Sequence, residues 1–279
     1  MAMFPPAIMN IIRRNATATL ALALITALSG SVHAQDLKGN VGNVEEFRYS
    51  WRLRGGVRFL AGLMFPTNGV GNLRNTYSDK LHSELVITAP NGRQGGFYEY
   101  ESDIDGTGKT LMTSHGYAWG KKSRNERTVF DYVKGQARIR KETPDEVENR
   151  VKKLPESDDF RDILTAIHFL RQNANTLNKP VQTNVYSDGK EYPVVFKPGT
   201  RKMFTIEGKP TAARAFEIVD APGGKKWPGG VTVWLSTDER RMPVRIEIRQ
   251  SVATLQLDLQ KVESSPMTAR FDASGIVAR

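Results

Sequence analysis

The chain has 279 residues, no cysteine, a hydrophobic fraction of 39% and a formal charge of +10. The missing thiols exclude disulfides, thiolate metal sites, a cysteine nucleophile and a lipid-anchored bacterial lipoprotein. Stability must therefore come from a packed apolar core, for which this length and composition suffice.

The first 34 residues have the pattern of a secretory signal peptide. Arg13 and Arg14 precede an uncharged run rich in Ala and Leu, which leads into Val32-His33-Ala34. A basic start, a short apolar run and a small-residue cleavage site are typical of exported proteins, and this run is too short to span a bilayer. We expect cleavage after Ala34, a single domain over residues 35–279, a periplasmic location and no transmembrane segment in the mature protein.

Loss of Arg13 and Arg14 would take the formal charge from +10 to about +8. Such a surface attracts anionic partners, among them phospholipid headgroups, lipopolysaccharide and acidic polysaccharide. The basic residues are scattered along the chain, and nucleic acid is not expected in the periplasm. The partners that we expect are a lipid or other apolar anionic ligand and an envelope protein. Solubility alone is the alternative explanation of the charge.

Alternation of apolar and polar residues predicts strands in the first half of the mature chain. Phe47, Tyr49, Trp51 and Leu53 alternate with polar residues before a Gly-Gly turn. Turn residues such as Asp105-Gly106-Thr107-Gly108 separate the next predicted strands, at 81–88, 96–102, 109–114, 127–132 and 136–141. Residues 60–73, interrupted by glycine and proline, predict a loop or broken strand, and the charged residues 143–153 predict a surface segment.

One helix is predicted at about residues 158–173. Apolar residues recur there at helical spacing from Phe160 to Leu170, and Ser157-Asp158-Asp159 can cap its start. His168 lies beside the apolar stripe and is interpreted as a boundary histidine with satisfied hydrogen bonds.

Strands resume after Pro180, and the last are predicted at 231–236, 244–250 and 255–262. The stretch Val231–Ile248 contains Ser, Thr, Asp and Arg but is interpreted as a hairpin, because its apolar residues alternate on both sides of a polar turn. About ten strands around one helix, without a βαβ rhythm, predict a mainly β domain. We expect a curled antiparallel sheet or an incompletely closed β-barrel.

No motif for catalysis, a metal or a cofactor is recognised in the sequence. The chain has no His-Glu-x-x-His pair, no Gly-x-Ser-x-Gly elbow, no phosphate loop and no complete dinucleotide fingerprint. We therefore expect a non-enzymatic protein without a cofactor. A hydrolase acting on polysaccharide or ester is the alternative, and it would need two carboxylates or a Ser/His pair within reach in one pocket.

The hairpin also carries a resemblance to a known family. Trp234-Leu235-Ser236, Asp238, Arg241, Pro243 and Val244 resemble the W-L-S-x-D-x-x-R-x-P-V pattern of the bacterial domain of unknown function 3108. The helical segment Asp162–Arg171 and the strand and turn Tyr49–Gly56 are similar to that family in the same order, so the resemblance spans roughly Val44–Leu259. It implies an exported protein of this shape and no particular reaction.

A more distant likeness is to the periplasmic lipoprotein-sorting carriers. The shared features are a signal peptide, many antiparallel strands and a late hairpin containing W-L-S-x-D. That likeness implies an unclosed barrel that holds acyl chains under a helical lid. The chain departs from those carriers in length, and it has no evident lid beyond Phe160–Leu170.

Two hypotheses for function follow from these observations. In the first, the concave face of the sheet binds an apolar or lipid-like ligand, with basic residues meeting its anionic headgroup. The candidate lining residues are Phe47, Tyr49, Trp51, Phe97, Trp234 and Met242, and the alternative is that these side chains fill an ordinary core. In the second, the protein is a structural or interaction protein of the envelope that docks a partner through its basic face.

Overall fold

The computed structural model describes residues 43–55, 67–89, 96–119, 122–154, 160–187, 190–224, 226–227, 230–249 and 253–266. The predicted signal peptide and the predicted helix cap at Ser157-Asp158-Asp159 lie outside these ranges. Within them, no helix has both the length and the apolar character needed to cross a membrane.

The described residues form fifteen β-strands and one α-helix, so the predicted mainly β class is confirmed. The first eight strands are β1 (Asn43–Arg54), β2 (Asn68–Tyr77), β3 (Leu81–Thr88), β4 (Gly96–Ile104), β5 (Thr110–Trp119), β6 (Lys122–Asp131), β7 (Gln136–Glu142) and β8 (Val147–Lys153). The others, with the helix, are β9 (Phe160–Arg161), α1 (Ile163–Asn173), β10 (Val181–Ser187), β11 (Lys190–Ile206), β12 (Lys209–Asp220), β13 (Gly230–Ser236), β14 (Pro243–Arg249) and β15 (Thr254–Pro266).

All the strands belong to one sheet, in the order β8-β7-β6-β5-β4-β3-β2-β1-β15-β14-β13-β12-β11-β10-β9. The chain meanders outward from β1 to β8 and back from β9 to β15, which pairs antiparallel with β1. Every neighbouring pair is antiparallel except β9 and β10, which are parallel. The first and last strands therefore lie in the middle of the sheet, and β8 and β9 form its two edges.

The sheet has more strands than the sequence predicted, in part because β8 was missed and β2 was predicted only as a loop or broken strand. Gly69 and Gly71 suggested a loop, yet both lie within β2 opposite aromatic residues of β1. A Cβ atom at Gly69 would lie 2.5 Å from Trp51 Nε1 and 2.1 Å from the carbonyl oxygen of Thr88. These glycines make room for the large side chains of the neighbouring strand.

The helix packs on the concave face of the sheet, mainly against β3, β4 and β9. Its residues Leu164, Ile167 and Leu170 are at most 3% exposed and join the inward side chains of β1 and β11–β15 in the main core. The helix begins at Ile163 rather than near residue 158, because Asp162 is its N-cap and accepts hydrogen bonds from the amides of Leu164 and Thr165.

The two ends of the sheet overlap instead of meeting edge to edge. Phe130 belongs to the concave face of β6, whereas Tyr186 and Phe160 belong to the faces of β10 and β9 opposite the main core. The ring centroid of Phe130 lies 4.9 Å from that of Phe160 and 5.1 Å from that of Tyr186. We call this contact between Phe130, Tyr132, Phe160 and Tyr186 the aromatic seam. The curled sheet is therefore open in its strand pairing, as one of the two predicted architectures has it, and side-chain packing joins its two ends.

Candidate functional site

Part of the concave face is lined by polar and aromatic side chains that keep some exposure to solvent. Tyr100 and Tyr98 lie opposite the core residues Leu85 and Ile87 of β3, which places both tyrosines on the inward side of β4. The strand register continues from these tyrosines to His115 and Tyr117 on β5, and then to Glu126 and Arg124 on β6. We call these six residues the inner polar face: Tyr98, Tyr100, His115, Tyr117, Arg124 and Glu126.

The inner polar face combines aromatic surface with an ion pair. The rings of Tyr98 and Tyr117 are 6.1 Å apart, and burial together with the neighbouring Tyr117 raises the pKa of Tyr98. Arg124 Nη2 donates to Glu126 Oε2 at 2.5 Å, and Glu126 is only 6% exposed. Burying a carboxylate is costly without a hydrogen-bonded partner of this kind. The surface is thus suited to a ligand with both an apolar and a polar part.

The inner polar face reaches the aromatic seam at Tyr186. Burial raises the pKa of Tyr186 to about 12, with a smaller contribution from the negative charge of Glu126. The Tyr186 hydroxyl is buried and has no hydrogen-bond partner in the described part of the protein. A buried hydroxyl without a partner is uncommon in folded proteins and marks a place where a polar ligand atom or water would be stabilised.

Four of the six residues expected to line a ligand site lie in the packed core. Phe47, Tyr49, Trp51 and Met242 are 1%, 2%, 7% and 3% exposed. The Tyr49 hydroxyl donates to the Pro243 carbonyl oxygen at 2.8 Å, and Trp51 Nε1 donates to the carbonyl oxygen of Thr88 at 2.7 Å. Other protein groups therefore cover these side chains, and their role in ligand binding stays a prediction.

Trp234 and Phe97 are placed apart from these four. Trp234 is partly buried and packs edge-on against Phe204, with 5.4 Å between ring centroids, and the Arg245 guanidinium lies 4.9 Å from the Phe204 ring. Val233 and Leu235, on either side of Trp234 in β13, point into the main core. Trp234 therefore lies on the convex side of β13. Phe97 occupies β4 opposite Thr88, and its side chain lies outside the described part.

The hairpin predicted at Val231–Ile248 is confirmed as β13 and β14, and its turn also holds the helix. Arg241 Nη1 donates to the carbonyl oxygens of Arg171 and Gln172, at 3.1 and 2.8 Å. In the opposite direction, Arg171 Nε donates to the carbonyl oxygen of Arg241 at 3.1 Å. We call these reciprocal bonds the helix latch. Sequence reasoning assigned Arg241 only to the turn, because spacing along the chain does not show which carbonyl groups a long side chain will reach.

A buried ion pair accompanies the helix latch. Arg171 makes two bonds to the Glu45 carboxylate, at 2.8 and 3.1 Å, and the Tyr77 hydroxyl donates to the same carboxylate at 2.8 Å. Burial alone would raise the pKa of Glu45, but the charge and hydrogen bonds of Arg171 hold it below its ordinary value. This bidentate geometry fixes the C-terminal end of α1 against β1.

Two groups of titratable side chains lie on the convex face of β3 and β4. Carboxylate oxygens of Glu84, Glu99 and Glu101 lie within 4.8 Å of one another, and this is the set of described residues that could hold a cation. Partial burial and the two neighbouring carboxylates raise the pKa of Glu99. His82 Nδ1 lies 2.8 Å from Asp103, which also accepts a hydrogen bond from a lysine. Neither group lies on the inner polar face.

Comparison with solved structures places the fold among β-barrel-like proteins. A β-barrel-like protein of domain of unknown function DUF1849 from Brucella abortus matches with a TM-score of 0.56 at 12% sequence identity, covering 81% of this chain and 99% of that one. The lipoprotein LppX of Mycobacterium tuberculosis aligns over 81% of this chain and 88% of its own at 14% identity, with a TM-score of only 0.24. At these identities the first match shows a shared fold, and the second supports no structural argument.

No curated protein sequence matches the chain significantly. A family model does match, over residues 74–260, which extend from β2 to β15 and include the helix, the latch and the inner polar face. Its description is "Protein of unknown function (DUF3108)". The resemblance drawn from the hairpin motif is thereby confirmed, and the chain belongs to the DUF3108 family.

Proposed function

We propose that this protein is an exported, non-enzymatic binding protein of the periplasm that holds an apolar or lipid-like ligand on its inner polar face. The leader pattern of residues 1–34 and the absence of cysteine support export without a lipid anchor. The location and the ligand are both inferences, and they are tested separately below.

One observation carries the proposal: the inward surface of β4–β6 is aromatic, polar and only partly covered. The inward surfaces of β1 and β11–β15 are closed by α1 and their own packing, whereas Tyr98, Tyr100 and Tyr117 retain accessible surface beside that core. Tyrosine rings offer a large contact area with little loss of conformational freedom, so they are well suited to bind a flexible chain.

The charged residues of the same strands support a ligand with a polar head. Arg124 and Glu126 adjoin the tyrosines, and the register continues from Glu126 to Lys141 on β7. Lys141 Nζ lies 3.8 Å from Glu148, so its charge is only loosely neutralised. An anionic or hydroxylated head group would find both cations and hydrogen-bond acceptors at this end of the face.

The test is native mass spectrometry of the protein purified from the periplasm, followed by organic extraction of any bound molecule. We expect a stoichiometric apolar adduct on the wild type and at least about a tenfold lower occupancy on a Tyr117→Ala/Arg124→Gln variant, since two contacts of ordinary strength would be lost. Trp234→Ala is the matched control, because Trp234 lies on the convex side.

Three results would contradict the proposal. A bare chain at its calculated mass, unchanged after incubation with envelope lipids, would exclude carriage. Loss of the adduct in Trp234→Ala together with full retention in Tyr117→Ala/Arg124→Gln would place the ligand elsewhere. Recovery of the unprocessed chain from the cytoplasmic fraction alone would exclude export. Circular dichroism of each variant shows whether it is folded.

A further inference from the structure

Exposed apolar side chains are concentrated on β6–β8 and the turn between β6 and β7. Among the described residues, six large apolar side chains are classed as exposed, and four of them belong to this segment. These four are Val129 (40%), Val133 (98%), Val147 (53%) and Val151 (63%). Single exposed apolar residues are normal on a protein surface, but a group confined to three adjacent strands indicates a contact surface.

The strand register interleaves these valines with basic residues on the convex face. Arg138 of β7 lies between Val129 of β6 and Val151 of β8, and the adjacent row brings Arg127 of β6 directly opposite Arg140 of β7. Like charges placed opposite each other repel, so an arrangement of this kind favours an external anion. Lys134 in the turn and Lys153 at the end of β8 extend the basic surface. We call this set the basic valine face: Arg127, Val129, Val133, Lys134, Arg138, Arg140, Val151 and Lys153.

Two acidic residues lower the charge of this face without cancelling it. Glu142 pairs with Arg140 and accepts a hydrogen bond from its Nε at 2.7 Å. Asp131 accepts from Arg138 at 3.2 Å and lies 3.9 Å from Lys134, so a single carboxylate serves two cations. The side chains of Arg138 and Lys134 remain 61% and 67% exposed. Ion pairs exposed to this extent are weak and exchange readily with other anions.

We propose that the basic valine face docks this protein onto an anionic phospholipid surface. Val133 is almost fully exposed at the tip of the β6–β7 turn, next to Lys134, so it would enter the headgroup region while the surrounding cations contact lipid phosphates. Charge attraction supplies most of the affinity in such contacts, and shallow burial of apolar side chains strengthens it.

The same observations argue against a protein partner on this face. Protein interfaces have an apolar core depleted in charge, whereas here Arg138 separates Val129 from Val151 in the row that contains both valines. The exposed edge strand β8 carries Glu148, Arg150 and two lysines, and charges of this kind discourage pairing with a further strand. The inference is independent of the ligand proposed above, because the basic valine face and the inner polar face lie on opposite sides of the sheet.

The experiment is co-sedimentation of the purified mature protein with vesicles of phosphatidylglycerol and phosphatidylethanolamine, compared with vesicles of phosphatidylcholine. We expect binding to the anionic vesicles that weakens as salt is added, and much weaker binding to the neutral ones. An Arg127→Gln/Lys153→Gln variant should bind the anionic vesicles at least about tenfold more weakly than the wild type, given the usual contribution of a basic residue near such a surface. A Val133→Ser/Val151→Ser variant should also bind less, with a smaller change.

Two matched controls separate this face from general properties of the chain. Arg201→Gln/Lys209→Gln removes the same charge from exposed positions on the β11–β12 hairpin, and Val70→Ser/Met203→Ser removes the other two exposed apolar side chains. The proposal is supported if these controls bind within about twofold of the wild type. It is overturned if both charge variants lose binding equally, if neutral vesicles bind as well as anionic ones, or if no binding occurs. Ligand occupancy, measured by mass spectrometry on the same variants, should not change.

Discussion

At the level of single residues, His168 lies in an environment unlike that of an ordinary surface histidine. His168 is 8% exposed, and its ring centroid lies 6.4 Å from that of Tyr77. Neither ring nitrogen has a hydrogen-bond partner in the described part of the chain. Burial, assisted by the positive charge of Arg171 and opposed by Glu45, lowers the pKa of His168 to about 3. The imidazole is therefore neutral in the folded protein, and the sequence-based expectation of satisfied hydrogen bonds was wrong.

This environment predicts that the protein loses stability in weak acid. Below a pH of about 6.5 the unfolded chain takes up a proton at His168 that the folded chain does not bind, so the free energy of unfolding falls with falling pH. Between pH 6.5 and 4.5 the loss from this residue is on the order of 2 to 3 kcal/mol. Urea denaturation at several pH values should show a shallower pH dependence for His168→Phe than for the wild type.

Val133→Ser is the control for this experiment, because it changes a side chain that is 98% exposed and removes no titratable group. Its pH dependence should follow that of the wild type. If His168→Phe and the wild type lose stability in parallel, the buried imidazole is not the cause.

At the level of elements, the helix latch depends on two features of the turn between β13 and β14, a fixed backbone and a long basic side chain. Arg241 has φ of 48°, in the left-handed region, and Ser236 stabilises the turn by accepting the Met242 amide and donating to Asp238. This geometry directs the guanidinium to the last carbonyl groups of α1, which lack partners within the helix. The turn thus caps a helix far away in the chain.

Arg241→Ala should therefore destabilise the protein by about 1.5 to 3 kcal/mol, the usual range for hydrogen bonds that involve a charged group. The side chain of the neighbouring Arg240 pairs with Asp238 at 3.3 Å and is 66% exposed. Arg240→Ala should change stability by less than about 0.5 kcal/mol. Urea denaturation measures both values, and equal effects would show that the bonds from Arg241 to α1 contribute little.

At the level of the whole molecule, the aromatic seam decides whether the curled sheet stays closed. It joins β6 to β9 and β10, which lie toward opposite ends of the strand order, so its contacts hold the two ends of the sheet together. Phe130 is 6% exposed and contacts both other strands. Without this contact, the inner polar face would be open along β6–β8.

Phe130→Ala should lower the free energy of unfolding by about 3 to 4 kcal/mol, as for other buried phenylalanines. It should also increase amide hydrogen exchange in β6–β8 and β9–β10 while β1 and β15 remain protected, because only the ends of the sheet separate. Val129→Ala, next in sequence but 40% exposed on the convex face, is the control and should have little effect. Uniform exchange across the sheet would contradict a local role for the seam.

The strands that sequence patterns predicted well are those with one buried and one exposed face. β1 and β14 alternate clearly, and the turn at Asp105 forms as expected, with Gly108 at φ of 89°. β8 was missed because it is an edge strand whose side chains are almost all polar, so it has no apolar period to detect.

By itself, the sequence determined the class of this protein: a cysteine-free, basic, antiparallel β domain with one helix, recognisable by its hairpin motif. These properties follow from local periodicity, turn residues and composition, each of which can be determined from short stretches of sequence. Only the tertiary structure decided that β1 pairs with β15, that the sheet closes through an aromatic seam, and that Arg241 caps α1. It also decided that four of the six expected lining residues lie in the core and that tyrosines of β4 and β5 line the accessible surface. Contacts between distant segments depend on how the whole sheet curls, and no local pattern encodes that curvature.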